Sequence, residues 1–87
     1  MGAEEKIGVV TDYYARIGVA AISLTDGDIR AGDRIRVRGQ TTDFTQSVES
    51  LEVEHRAVER AQRGSEVALK TRERVRRHDQ VFRLGDG

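Results

Sequence analysis

The sequence predicts an all-β fold, a small antiparallel β-barrel of six to seven strands. Three observations carry that expectation. Apolar residues alternate with polar ones in short runs, most clearly Ile35 and Val37 between Arg34, Arg36 and Arg38. Turn signals built on Gly and Asp separate these runs at intervals of roughly 8–12 residues. No proline removes a backbone donor anywhere in the chain.

Taken in order, residues 5–14 read as a first strand, with Ile7 and Val9 on one face and Val10 at a switch to the other. Residues 17–25 make a second, rich in β-branched and small residues; Gly18 and the Ala20-Ala21 pair suggest close approach of another strand. Asp26-Gly27 and Ala31-Gly32-Asp33 are turns, the second launching the arginine strand that Gly39 closes. A polar loop, residues 40–47, precedes a long strand to His55. Val48 and Leu51 are three apart while Leu51 and Val53 are two apart, so a β-bulge is expected near Glu49-Ser50. In residues 56–64, Val58 and Ala61 stand at helical spacing with Gly64 as a C-terminal cap, which allows about one helical turn, too short to be stable alone. Val67 and Leu69 mark another strand, residues 72–79 a charged connection, and residues 81–84 a closing strand before a frayed Gly85-Asp86-Gly87.

Eighty-seven residues suit one domain, 1–87, with an ordered core of about 5–84 between short flexible termini. There is no cysteine, hence neither a disulfide framework nor a thiolate metal site, and a reducing, cytoplasmic setting is expected. No apolar run approaches the roughly 20 residues of a membrane span, and the opening residues resemble neither a signal peptide nor a myristoylation site. Fifteen basic and fifteen acidic residues balance, but unevenly. Asp43, Glu49, Glu52 and Glu54 precede a stretch, Arg56 to Arg83, with a basic excess of five, as a polyanion-facing side would have.

Several of these segments together resemble the second-domain β-barrel of translational GTPases of the elongation factor Tu type. They are Gly8-Val-Val10, Leu24, Ile29 to Gly39, Val48 to His55, Val58, Ala61, Gly64 and Val67-Ala-Leu-Lys70. Val75-Arg-Arg-His-Asp79-Gln-Val81 is similar to that family's Val-x-x-Gly-Asp-x-Val, with His78 in place of glycine. Residues 39–55 also resemble the small proteins called translation elongation factor-like, which consist of the barrel alone. The resemblance implies a barrel and a translation-associated module bound to tRNA, rRNA or the ribosome. The chain lacks the Gly-x-x-x-x-Gly-Lys-Ser/Thr loop that cradles a triphosphate, so GTPase activity is excluded.

Two arginine clusters are the RNA-binding candidates: Arg34, Arg36 and Arg38 along one strand face, and Arg72, Arg74, Arg76 and Arg77 in the charged connection. Pairing of the first cluster with Glu49, Glu52 and Glu54 on a neighbouring strand would weaken that reading. The alternative is a protein-docking module with no nucleic-acid binding, its contact the loop residues Gln40, Thr41, Thr42, Phe44 and Gln46. No catalytic constellation is visible: Ser47, Ser50 and the threonines have no base–orienter pair visible beside them. No cofactor is called for. His55 and His78 do not make a metal site, since Glu52, Glu54 and His55 cannot converge from one extended strand. Adjacent Tyr13 and Tyr14 face opposite sides, so one is exposed.

Overall fold

A computed structural model describes residues 4–85 of the chain. Among the described residues every regular element is a strand. The ten are β1 (Glu4–Tyr14), β2 (Val19–Ser23), β3 (Ile29–Arg30), β4 (Arg34–Arg38), β5 (Asp43–Ser47), β6 (Leu51–Val53), β7 (Arg56–Val58), β8 (Arg60–Ala61), β9 (Glu66–Lys70) and β10 (Gln80–Leu84). Eight form one antiparallel sheet in the order β5-β4-β10-β1-β2-β9-β6-β7, and β3 pairs with β8 in a separate two-stranded ladder. The all-β, antiparallel expectation holds. The closed barrel of six to seven strands does not: the sheet is open, ending on β5 and β7, and it has eight strands beside the two-stranded ladder.

The alternation written in the sequence sets the inner face. In β4 the buried Ile35 and Val37 separate Arg34, Arg36 and Arg38, and in β9 the buried Val67 and Leu69 alternate with more exposed neighbours. These side chains join Ile7, Ile22, Leu24, Ile29, Leu51, Val75 and Val81 in one core cluster. Each such fully buried aliphatic side chain contributes about 1.5–3 kcal/mol of burial free energy.

Strand β1 departs from simple alternation. Its register shifts between Lys6 and Gly8 against β10, and between Val10 and Asp12 against β2. The two irregularities put Ile7 and Val10 inward and leave Val9 half-buried, in place of the expected Ile7–Val9 face. Gly8 sits between them, where a Cβ would lie 2.3 Å from the Ser23 carbonyl oxygen. Glycine is therefore required at that crossing, and Gly8, not Gly18, marks the close approach. Gly18 has open space around it.

The expected bulge near Glu49-Ser50 is instead a break between β5 and β6, which still returns Leu51 to the core after Val48. The long strand to His55 ends at Val53, because Glu54 and His55 have φ of 52° and 65° and form a two-residue hairpin turn into β7. Residues 56–64 accordingly hold β7 and β8 and no helical turn. The tail expected to fray lies, beyond Gly85, outside the described residues.

Two turns share one design. Asp33 donates its backbone N–H to the Arg30 carbonyl at 3.1 Å and accepts the Arg30 N–H on its carboxylate at 3.0 Å. Asp79 does the same with Arg76, at 3.1 and 2.9 Å. The third residue of each has positive φ, +96° at Gly32 and +77° at His78. The strands they launch, β4 and β10, pair with one another.

Candidate functional site

The outer face of β4 is largely spent on ion pairs. Arg36 holds Asp43 in a two-point grip, Nε to Oδ1 and Nη2 to Oδ2 both at 2.8 Å, and its Nη1 meets Glu4 Oε2 at 2.6 Å. Those hydrogen bonds, Asp43 first and then Glu4, raise the Arg36 pKa, and Arg36 in turn lowers that of Asp43. Arg38 reaches Glu4 at 3.8 Å and lies 5.8 Å from the centre of the Phe82 ring. The acidic partners are thus Asp43 on β5 and Glu4 on β1, not Glu49, Glu52 and Glu54, because β4 lies between β5 and β10 and never meets β6. Arg34 is the member of the three outside any ion pair among the described residues; its closest polar side-chain contact is Thr45 Oγ1 at 3.5 Å.

The second cluster is divided. Arg72 lines a cleft of about 430 Å³ with Arg34, Gln46, Glu49 and Lys70. Arg76 and Arg77 line a wider groove with Arg38, Gln40 and His78, and Arg77 stands 3.7 Å from Asp12. Arg74 is exposed and lines neither. Arg34 with Arg72, and Arg38 with Arg76 and Arg77, thus line two different depressions.

Of the five expected loop contacts, three are interior. Residues 43–47 are strand β5, and Thr42, Phe44 and Gln46 are buried, leaving Gln40 and Thr41 exposed. Tyr14 is exposed and Tyr13 packs on the core, as their adjacency implies. His55 and His78 occupy positive-φ turn positions, so the strand geometry assumed for Glu54-His55 gives way to a turn. Among the described residues no three His, Cys, Asp or Glu side chains are grouped as a metal site would require.

The sequence reading missed Arg30 and Arg60. They sit directly opposite each other in the β3–β8 ladder, both exposed, with Ile29 opposite Ala61 on the buried side. Neither strand is longer than two residues, so neither carries a readable period.

Against this geometry, known proteins point away from translation. No family model matches the chain. Over 79 residues, 90% of its length, it is 33% identical to a collagenase of Porphyromonas gingivalis, of which the match covers 22%. It is 36% identical over 80 residues to an "uncharacterized protease" of Methanocaldococcus jannaschii, covering 19% of that protein. The chain therefore spans about a fifth of the length of the curated relatives it matches. Among solved structures it overlays on the C-terminal domain of a "putative U32 peptidase" of Geobacillus thermoleovorans, with a TM-score of 0.84, 22% identity and 91% of each chain covered. A selenomethionine variant of that domain gives a TM-score of 0.83.

These similarities overturn the elongation factor resemblance and the translation role drawn from it. The residues that carried it, alternating Val and Ile with Gly-Asp turns, describe how a small antiparallel sheet is built and report nothing of a ligand. Neither the RNA- or ribosome-binding reading nor the loop-docking alternative is retained: the relatives are named as proteases, and Thr42, Phe44 and Gln46 of the docking loop are buried.

Proposed function

We propose that this chain is a protease-associated domain of the kind that accompanies a U32-type peptidase, and that it does not itself cleave peptide bonds. The observation that carries the reading is the alignment: nine-tenths of this chain matches only about a fifth of proteins named collagenase or protease. What is shared is a part of those proteins. The fold supports the same reading, since its solved counterpart is described as a C-terminal domain of such a peptidase. A peptidase also needs an activated nucleophile or a metal-bound water; the hydroxyl–carboxylate contact among the described residues is Thr25 with Asp26, exposed neighbours in sequence with no third side chain bonded to that carboxylate. The cysteine-free composition suits a cytoplasmic location, which forms part of the proposal; among the described residues no helix is long and apolar enough to cross a membrane.

A replacement experiment tests it. The segment of the Porphyromonas gingivalis collagenase that aligns with this chain is deleted, or exchanged for this chain, and gelatin cleavage is measured. The expected result is loss of cleavage on deletion, recovery on exchange, and no cleavage by this chain alone. Equal activity of the deleted and exchanged proteins, or cleavage by the isolated chain, overturns the reading.

A further inference from the structure

Side chains directly opposite in an antiparallel pair have Cβ atoms about 4.5–5.5 Å apart, and like charges so placed repel. Arg30 and Arg60 are such a pair, held in register by the buried Ile29 and Ala61 behind them. A sheet ordinarily sets a carboxylate against one of the two. Here none is spent on them: the ion pairs among the described residues involve Arg36, Arg38, Arg77 and Arg83, not Arg30, Arg60 or Arg34. Two acids of the cleft are engaged by backbone donors. Asp33 caps the Arg30 backbone N–H and Asp28 accepts the Arg63 backbone N–H, each at 3.0 Å. Arg30, Arg34 and Arg60 line one cleft of about 340 Å³ with Asp28, Asp33 and Arg83.

We propose that Arg30, Arg60 and Arg34 form a carboxylate-binding site for a polypeptide segment, which places an acidic side chain or a C-terminal carboxylate between the facing guanidiniums. The proposal rests on the protease-associated reading for its choice of a polypeptide. Its choice of a carboxylate comes from charge. Arg83 is already paired with Glu5 at 2.6 Å, Asp28 and Asp33 border the cleft, and Glu59 shares a shallow recess with Arg30 and Arg60. Within the cleft lining itself, which Glu59 does not join, Arg30, Arg34 and Arg60 stand against Asp28 and Asp33, an excess of one charge that suits a monoanion better than a phosphate dianion or a chain of phosphates. Guanidinium forks match the two oxygens of a carboxylate, and a bound carboxylate turns the Arg30–Arg60 repulsion into two charge-assisted contacts.

The test titrates a fluorescent hexaglutamate peptide into the protein at about 0.15 M salt, where distant surface charges are screened. The arms are the C-terminally amidated peptide, a hexaglutamine with free C-terminus, inorganic phosphate and single-stranded RNA as competitors, and the variants R30Q, R60Q and R74Q. Expected is binding that R30Q or R60Q weakens about tenfold and R74Q leaves within about twofold. Retention by the amidated peptide assigns the site to acidic side chains, and retention by hexaglutamine assigns it to the C-terminus. Without peptide, R60Q should raise Tm, because it relieves the facing charges; a fall in Tm argues against the unpaired geometry. Equal loss with R74Q, no binding by either peptide, or effective competition by phosphate or RNA at peptide-equivalent concentration overturns the proposal. Failure here with a functional exchange chimera removes the site alone, whereas binding with an inactive chimera removes the protease-associated reading and keeps the site.

Discussion

The side-chain carbonyl of Gln46 accepts the backbone N–H of Arg72 at 2.7 Å, while its amide nitrogen donates to the Lys70 carbonyl at 2.8 Å. One buried side chain thereby ties the edge strand β5 to the end of β9, two strands that share no backbone ladder. The open sheet is fastened at this end by an amide standing in for a strand. Gln46→Leu keeps the volume roughly but leaves the Arg72 N–H and the Lys70 carbonyl without this partner at a part-buried seam, and should cost about 1–3 kcal/mol in all. Urea unfolding would register it as a lower midpoint, and faster amide exchange should appear at Arg72. An unchanged midpoint would mean that the seam is held by packing alone.

That tie also marks where the sequence stopped being readable. Ile35, Val37, Val67 and Leu69 announced their inward face because a strand's period is two and each run was long enough to display it. Gln46 is as buried as its apolar neighbours yet reads as a polar loop residue, since nothing local says that its partners lie on β9. β3 and β8 are too short to show a period, which hid the facing Arg30 and Arg60. The turn at Glu54-His55 lacks the Asn or Gly that such turns favour, so it read as the end of one strand and the start of a helical turn. At the outer face of β4 the possibility of neutralisation was legible; the partners were not, because strand order is a property of the whole sheet.

The Arg36–Asp43 pair should make stability sensitive to acid. Asp43 has a lowered pKa in the folded state, mainly through its hydrogen bonds from Arg36. The folded chain therefore holds fewer protons there than the unfolded chain, whose carboxylate titrates near about 3.9. Stability from this pair is present above that value and is lost as pH falls through the folded pKa. Asp43→Asn should lower Tm at pH 7, narrow the gap to wild type below about pH 4 and blunt the salt dependence. Thermal melts from pH 2 to pH 7, taken at about 0.05 and about 0.5 M salt, measure all three. A gap that stays constant with pH would show that Asp43 acts through packing.

His78 occupies a conformation its β-carbon disfavours, in a turn whose twin at Gly32 uses glycine. A non-glycine residue in the left-handed region costs about 1–2 kcal/mol, from which glycine's extra unfolded-state entropy takes back about 0.5–1. His78→Gly should therefore stabilise by about 0.5–1 kcal/mol, and Gly32→Ala should destabilise by a comparable amount. Paired chemical denaturation of the two variants distinguishes backbone strain from side-chain contact. If His78→Gly is destabilising, the imidazole makes a contact in the Arg76–Asp79 groove that outweighs the strain.

The hairpin between β6 and β7 offers the same kind of gain at two consecutive positions. Glu54 and His55 both have positive φ, and their two-residue loop is the geometry for which Asn-Gly is preferred. Replacing the pair by Asn-Gly should add about 1 kcal/mol and should slow hydrogen exchange across Leu51–Val58 and Val53–Arg56. β7 is an edge of the open sheet, so a firmer hairpin also holds that edge in register. Because neither residue lines the Arg30–Arg60 cleft, hexaglutamate binding should be unaffected. A stabilised hairpin with altered peptide affinity would instead place part of the binding surface on β6 and β7.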